Sequence, residues 1–334
     1  SFLAKKKQDS FRIFCLGGST TAGFPYEMNV PFPQQLKFIL EDQISDGEFE
    51  IINLGLSAIN SFSVLDWIPE ILNHEPDLII IYMGHNEFYG AYGAGSAISF
   101  SNNASLIRIM LKIKRLHFVK MMKTILTKNF LKKDEIIKTT LMEQISNRAN
   151  IPIKSEIREI VKKNYEENLD IILKLISEAN LPVIISNLTS NLKDQVPFGE
   201  GGRLNKNTLS SIEYYNKGLD FYKNKKPDSS KIAFELSLDL DEVPFRAPGN
   251  INNIISKKAV DHKVYLLNMK NIFEKYSKDS IPGDNLFSDH LHPNPKGYYL
   301  MAASFYNKIV EIGLFGNKNL KKLNIFELSP FYVS

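Results

Sequence analysis

The chain has 334 residues, of which 43% are hydrophobic and 23% are charged, and its formal net charge is +4. This length suits one large α/β domain with insertions or two domains, and so small a charge does not indicate a nucleic-acid-binding protein. No run of about 18 apolar residues is present, so this sequence contains no candidate membrane-spanning helix.

Short apolar runs alternate with amphipathic stretches along most of the chain. We expect strands at residues 11–16, 49–54, 77–83, 182–187 and 263–268, and helices at residues 31–44, 63–73, 155–179, 251–260 and 296–312. Strands that alternate with helices in this way predict a parallel, doubly wound sheet. The expected fold class is therefore α/β, with about five parallel strands.

The first strand, residues 11–16, leads directly into a run of glycines and hydroxyl side chains at residues 17–21. Its single cysteine, Cys15, cannot form an internal disulfide and is expected to pack in the core. Open α/β sheets place their sites at the carboxyl ends of strands, which makes Ser19 a candidate functional residue. The alternative is a tight turn in which a Ser or Thr only caps the next helix.

Two segments do not fit the repeat of strands and helices, although we interpret residues 1–334 as a single domain. The first is a helical, basic insertion at residues 90–150, in which residues 106–133 contain nine Lys or Arg and no acid. It is interpreted as an ordinary insertion with a solvated basic face, a lid over the site, or a segment that touches an anionic membrane surface.

The second insertion, residues 197–250, ends in a loop rich in proline and acidic residues. In this loop Arg246 is flanked by prolines at positions 244 and 248, and it could bring a cation to the substrate. It could equally pair with the acids that precede it. The substrate-binding role of Arg246 is therefore a hypothesis with a purely structural alternative.

A second group of reactive residues precedes the last expected helix. Asp289 and His292 are three positions apart, so both can face the same way on one turn. The carboxylate could then hold one imidazole nitrogen and leave the other free to act as a base. A metal site made of Asp289, His290 and His292 is an alternative, but it lacks a nearby further strong ligand.

Taken together, four short pieces resemble the four sequence blocks of the SGNH (GDSL-type) hydrolases, in the same order. The pieces are residues 17–20, residues 53–55, residues 84–87 and residues 289–293. The resemblance covers about residues 11–87 and 268–312, and it leaves out both insertions. It implies a three-layer α/β/α, flavodoxin-like fold.

The resemblance also assigns roles to individual residues and implies no metal or other cofactor. Ser19 would be the nucleophile, His292 the general base and Asp289 the carboxylate that orients the base. The oxyanion would be bound by the backbone N–H groups of Ser19 and Gly55 and by the side-chain amide of Asn86. Such donors are needed because negative charge develops on the substrate oxygen during acyl transfer.

Some positions depart from the family pattern. The first block reads Gly-Gly-Ser-Thr instead of Gly-Asp-Ser-Leu, and Glu87 stands where the family more often has Asp. By the family spacing His290 is not the base, and the neighbouring hydroxyls of Thr20 and Thr21 are expected to pack or to cap the following helix. None of these departures removes a residue needed for catalysis.

The sequences of residues 84–90 and 241–248 resemble those of a bacterial branch of the family in which the hydrolase domain follows an N-terminal membrane anchor. The chain begins with Ser1 and a polar stretch, without a signal-peptide pattern. On this resemblance we expect an extracytoplasmic enzyme that is anchored to the membrane in the full-length protein.

The sequence thus predicts a serine esterase that acts through an acyl-enzyme, on short-chain acyl or acetyl esters of a small molecule or a glycan. An acyltransferase or deacetylase that acts on a cell-surface glycan would use the same residues. A binding module that has lost its chemistry and a phosphate-binding flavodoxin-like protein are the alternatives of another class. The expected partners are the ester substrate and, through residues 106–133, a membrane surface; no nucleic acid is expected.

Overall fold

Five parallel strands form the sheet of this protein, for which a computed structural model describes residues 4–27, 29–93, 104–114, 150–316 and 320–325. In chain order they are β1 (Ser10–Gly17), β2 (Glu48–Gly55), β3 (Leu78–Tyr82), β4 (Val183–Ser186) and β5 (Tyr265–Leu267). They lie in the spatial order β2-β1-β3-β4-β5, which is the flavodoxin-like order. The predicted fold class and number of strands are confirmed.

Helices cover both faces of the sheet. Their bounds are α1 (Ser19–Ala22), α2 (Phe32–Gln43), α3 (Ser61–Leu72), α4 (Ala104–Lys114), α5 (Glu156–Glu178), α6 (Ser211–Lys223), α7 (Pro227–Asp239), α8 (Gly249–Asp261), α9 (Met269–Lys275) and α10 (Pro295–Glu311). On one face α2 packs against α10, with α9 beside it; on the other face α5 packs between α3 and α8.

The core explains why the central strands are so apolar. All five residues of β3 are buried, since this strand lies in the middle of the sheet and meets helices on both sides. Strand β5 is at the edge, and its first residue, Tyr265, is 41% exposed. The expected strand at residues 263–268 is accordingly shortened to three residues, because an edge strand has a pairing partner on one side only.

Each insertion supplies helices outside the sheet repeat. In the first insertion, α4 packs against α3 through Ile107 and Leu111, which contact Phe62. Most of the basic stretch at residues 106–133 lies outside the described residues, and α4 is the part of the predicted lid that the structure describes. In the second insertion, α6 and α7 pack against each other as a helical pair. In the described parts of the chain, none of the helices has the length and apolarity that crossing a bilayer requires.

Candidate active site

Ser19 stands where β1 meets the first short helix. It is the first residue of α1, directly after Gly18, and its side chain is half-buried. No side chain caps this helix, and the neighbouring Thr21 hydroxyl instead donates to the carbonyl of Tyr82 at 3.2 Å. The capping role proposed as the alternative for Ser19 is therefore not the one its hydroxyl takes.

A hydrogen-bonded line joins the three residues that the sequence proposes as nucleophile, base and orienting acid. Ser19 Oγ lies 2.7 Å from His292 Nε2, and His292 Nδ1 lies 2.6 Å from Asp289 Oδ2. The serine comes from the end of β1, while the other two come from the loop before α10, where His292 is 273 positions later in the chain than Ser19. The fold thus brings all three together.

The charge on Asp289 decides which nitrogen of His292 carries the proton. Burial acts to raise the pKa of Asp289, but the hydrogen bond and charge of His292 outweigh it and hold this pKa at about 2. An ionised carboxylate can only accept hydrogen bonds, so His292 donates from Nδ1. Its Nε2 is then free to accept the hydroxyl proton of Ser19, as a general base requires.

The loop that carries Asp289 and His292 is held by its own backbone and by a neighbouring segment. Asp289 Oδ1 accepts the backbone N–H groups of Leu291 at 2.9 Å and of His292 at 2.8 Å. From the loop after β4, the side chain of Asn191 donates to the carbonyl of Asp289, and its backbone N–H donates to the carbonyl of His290. The position of the base is therefore set before any ligand binds.

Asn86 follows β3 and faces the start of α1. Its amide nitrogen lies 2.7 Å from where a Cβ on Gly18 would be, so a larger residue at position 18 would displace it. Asn86 and Ser19 line one small cavity. Within the described residues no hydrogen bond uses the Asn86 side-chain amide, which leaves its N–H groups available to a ligand at Ser19.

The backbone N–H of Gly55, which the sequence predicts as an oxyanion donor, has a hydrogen-bond partner within the protein. Its backbone N–H donates to the side-chain oxygen of Asn53 at 2.8 Å, and Asn53 donates in turn to the carbonyl of Thr21. A Cβ at position 55 would come within 2.1 Å of the backbone nitrogen of Ala22. Gly55 is small because α1 packs directly on β2, and its role as an oxyanion donor stays a prediction.

Ala58, which the sequence reasoning missed, lies in the loop between β2 and α3. It has a left-handed backbone with φ of 60°, a conformation that costs an alanine free energy and that occurs disproportionately at functional sites. Its carbonyl accepts the N–H of Ala91 at 2.9 Å, and its neighbour Ile59 lines the cavity at Ser19. Only the φ angle signals this position, because Ala has no sequence signature for a left-handed turn.

Arg246 is buried and paired within the protein, and its contact with substrate stays a prediction. Its side chain is 2% exposed and pairs with the buried Asp241 at 3.5 Å. It also donates to the backbone carbonyls of Asn191 and Gln195 at 2.8 and 3.2 Å. Asp241, one of the acids that precede Arg246 in the sequence, forms the ion pair that the structural alternative supposed. Arg246 thereby supports the segment that holds the Asp289 loop.

His290 is packed away from Ser19. Its ring meets the edges of Phe198, Phe245 and His292, and burial lowers its pKa to about 4, so it is neutral near pH 7. Asp289, His290 and His292 do lie close enough together for metal ligation. Both ring nitrogens of His292 are, however, already committed to Ser19 and Asp289, so a metal there would break the hydrogen-bonded line.

Phe24 is a second residue that the sequence reasoning missed. Its ring is half exposed and lies 4.7 Å, centroid to centroid, from the ring of His292. The hydroxyl of Tyr298 donates to the carbonyl of Phe24 at 2.7 Å and so holds this segment against α10. An apolar ring beside the base gives a bound ligand a surface to pack on.

Comparisons with known proteins find likeness in structure but not in sequence. No protein-family model matches the chain, and no curated protein matches it. The fold is similar to a lipase/acylhydrolase from Enterococcus faecalis (12% identity, TM-score 0.46, covering 94% of this chain and 98% of that one). It is also similar to an acetylxylan esterase from Geobacillus stearothermophilus (10% identity, TM-score 0.46, covering 95% and 100%). A further solved structure, an alpha/beta hydrolase enzyme from the metagenome of Lake Arreo, has 11% identity and a TM-score of 0.47, with 92% of this chain and 97% of that one covered.

Proposed function

We propose that this protein hydrolyses carboxylic esters through an acyl-enzyme formed on Ser19. The observation that carries the proposal is the hydrogen-bonded line from Ser19 through His292 to the ionised Asp289, with distances of 2.7 and 2.6 Å. A serine hydroxyl is a weak nucleophile until a base takes its proton, and this line supplies the base in the correct tautomer.

In the proposed reaction Ser19 Oγ attacks the ester carbonyl while His292 Nε2 takes the hydroxyl proton. Asp289 stabilises the imidazolium that results. His292 then gives the proton to the departing alkoxide, which leaves the acyl group on Ser19. The same histidine activates water for the second half of the cycle, which releases the acid and restores the serine.

The oxyanion that forms in each half-reaction needs donors fixed in place. The side-chain amide of Asn86 and the backbone N–H of Ser19, at the first turn of α1, are proposed for this role. We place the remaining donor at Ala58 instead of Gly55. Its support is the left-handed backbone beside the Ser19 cavity and an N–H that no hydrogen bond within the described residues uses.

The size of the cavity at Ser19 favours a short acyl group. The centre of a water-sized group can move within about 10 Å³ of this cavity, so the cavity holds roughly one such group. Residues Ile59 and Leu291 limit it on two sides. An acetyl methyl group is of this size, which is why we propose an acetyl or other short-chain ester as substrate. The alcohol part of the ester, a small molecule or a sugar, would leave past Phe24.

The test is hydrolysis of p-nitrophenyl esters from acetyl upward by the protein and by Ser19→Ala. We expect turnover to be fastest on the acetyl ester, and kcat to fall by at least about 10³ in the variant, because the nucleophile is removed. Its melting temperature should stay within a few degrees of the parent protein, since Ser19 is only half-buried.

Ser288→Ala serves as the matched control, because this serine lies in the Asp289 loop and is exposed, and among the described residues its hydroxyl bonds only to Tyr26. It should keep kcat within about twofold. Turnover by Ser19→Ala that approaches the parent rate would overturn the proposal. Preference for long acyl chains would overturn the acetyl-sized site but not the serine mechanism.

The acyltransferase alternative uses the same acyl-enzyme with a sugar hydroxyl as acceptor. It is distinguished by adding a sugar acceptor to the p-nitrophenyl acetate assay. Product partition toward an acetylated sugar would favour the transferase, and acetate release unaffected by the sugar would favour the hydrolase.

Peripheral contact with an anionic membrane stays a prediction, as does an extracytoplasmic location. The contact has one structural observation in its favour, because α4 exposes Leu106, Ile109 and Ile113, each between 45% and 54%, along one side. Such an apolar stripe with neighbouring cations suits the interface of a bilayer. Co-sedimentation with vesicles containing anionic phospholipid tests it, and Ile109→Ser should weaken the binding.

A further inference from the structure

A chain of hydrogen bonds joins the inserted helix α4 to the residue that follows Asn86. It begins at Arg108 on α4, whose Nε donates to Asn168 Oδ1 at 2.9 Å. Asn168 Nδ2 donates to Ser61 Oγ at 2.9 Å, and Ser61 Oγ donates to Glu87 Oε2 at 2.7 Å. Every donor in the chain points from the guanidinium toward the carboxylate.

Glu87 is the anchor at the inner end of this chain. It is 4% exposed, and its other carboxylate oxygen accepts the backbone N–H of Ser61 at 2.9 Å. Ser61 is the first residue of α3, where the helix dipole favours a negative charge. Burial raises the pKa of Glu87 to about 7, against which the two hydrogen bonds from Ser61 act.

The other members of the chain are also fixed. Asn168 is fully buried in α5, and Arg108 makes an ion pair with Glu167 at 3.0 Å. A series of hydrogen bonds in which every member has a partner is rigid, and hydrogen bonds in series polarise one another. Displacement of Arg108 therefore leaves Asn168 Oδ1 buried without this donor, and Asn168 is the residue that donates to Ser61 beside Glu87.

We propose that Glu87, Asn168 and Arg108 are positioning residues, through which the docking of α4 sets the place of the Asn86 amide. The inference rests on the proposed ester hydrolysis, in which that amide binds the oxyanion. Asn86 adjoins Glu87, and its carbonyl accepts the N–H of Gly90 at 2.6 Å, so this turn moves as one unit. Displacement of a catalytic group by about 1 Å can cost up to about 10²-fold in rate.

The experiment compares Arg108→Ala with Lys112→Ala on p-nitrophenyl acetate at pH 8.5, where Glu87 is ionised. Lys112 is the matched control, since it is an exposed cation one turn further along α4. We expect Arg108→Ala to lower kcat by about tenfold with KM changed less than about twofold, because only the transition state uses the Asn86 amide. Lys112→Ala should stay within about twofold of the parent protein in both constants.

The same substitution in an Asn86→Ala background separates positioning from general damage to the fold. When the amide is gone, Arg108→Ala should lower kcat by less than about twofold further, since it acts through that amide. Losses that multiply, a change confined to KM, or no change in kcat would each overturn the inference. Glu87→Gln, which keeps one acceptor for Ser61, should lose less kcat than Glu87→Ala.

A readout that needs no turnover keeps this test apart from that of the proposed function. In amide spectra of ¹⁵N-labelled protein, the side-chain NH₂ signals of Asn86 are assigned by their loss in Asn86→Ala. Arg108→Ala should shift them and Lys112→Ala should not. If Ser19→Ala retained parental turnover while these signals shifted, the hydrolase proposal would fail but the mechanical link would stand. Unshifted signals would overturn the link itself.

Discussion

At the scale of single residues, the site depends on which groups are charged. Asp289 is ionised and accepts hydrogen bonds with both oxygens, one from the ring of His292 and one from two backbone N–H groups. Its carboxylate therefore orients the base and shapes the loop at the same time. Glu87, in contrast, is a buried carboxylate whose charge is costly.

Asp289→Asn tests the orienting role. We expect kcat to fall by about 10⁴, because an amide that donates to Nδ1 stabilises the wrong tautomer of His292. The two backbone hydrogen bonds can persist on the amide oxygen, so the melting temperature should change little. Asp46→Asn, which changes an exposed carboxylate in the turn before β2, is the control and should retain kcat. Activity above about a tenth of the parent value in Asp289→Asn would argue against the assignment.

Glu87→Gln tests the cost of the buried charge through the pH dependence of stability. The pKa of Glu87 is raised from 4.5 to about 7 in the folded protein, so the native state holds its proton more tightly than the unfolded chain does. The free energy of unfolding must then fall as pH rises from about 4.5 to about 7, and this contribution is constant above and below that range.

The glutamine variant lacks this titration. Its free energy of unfolding, relative to the parent protein, should therefore rise by about 2–4 kcal/mol between pH 4.5 and pH 8. Urea unfolding of both proteins at several pH values measures the difference. A difference that is independent of pH would mean that Glu87 has an ordinary pKa in the folded state.

At the scale of elements, the loops at the carboxyl ends of the strands hold one another. The segment after β4 carries Asn191, which supports the Asp289 loop, and Arg246 from the second insertion donates to Asn191 in turn. The second insertion is thus part of the support for the base. Its ion pair, Arg246 with Asp241, is buried on both sides, at 2% and 1% side-chain exposure.

Arg246→Met should destabilise the protein by about 3–5 kcal/mol, because it leaves Asp241 buried without its cation. Arg203→Ala is the control, since this arginine lies in the same insertion in an exposed pair with Glu213, and it should cost less than about 1 kcal/mol. Thermal and urea unfolding measure both. A variant with parental stability and a raised KM would instead restore the substrate-binding role.

At the scale of the whole molecule, the sheet is a rigid platform for residues that are distant in sequence. Strand β3 pairs with β1 and β4, and the loops that follow β1 and β3 carry Ser19 and Asn86. Any loss of packing in β3 should therefore shift the loops that carry Ser19 and Asn86 as well as destabilise the core.

Ile80→Ala tests this dependence. Ile80 is fully buried at the centre of the sheet, and removal of its side chain should cost about 2–5 kcal/mol through lost burial and the cavity left behind. Val260→Ala is the control, since Val260 is 76% exposed and should change stability by less than about 0.5 kcal/mol. Unfolding in urea gives both values. Equal effects would contradict the packing described for β3.

The sequence by itself determined the elements and the three residues of the hydrogen-bonded line. The inner strands β3 and β4 are short apolar runs because both faces of a parallel sheet are covered, and the main helices have an apolar face of helical period, so local pattern suffices for them. Ser19, Asp289 and His292 were predicted because their types and order match a known arrangement of sequence blocks.

Only the tertiary structure decided what the remaining polar groups do. The N–H of Gly55 is used by Asn53, Arg246 is neutralised by Asp241, and Ala58 adopts a left-handed backbone. Sequence patterns record residue type and spacing along the chain. They do not record which donors already have partners, and that depends on contacts between segments tens to hundreds of residues apart, which form only when the chain has folded.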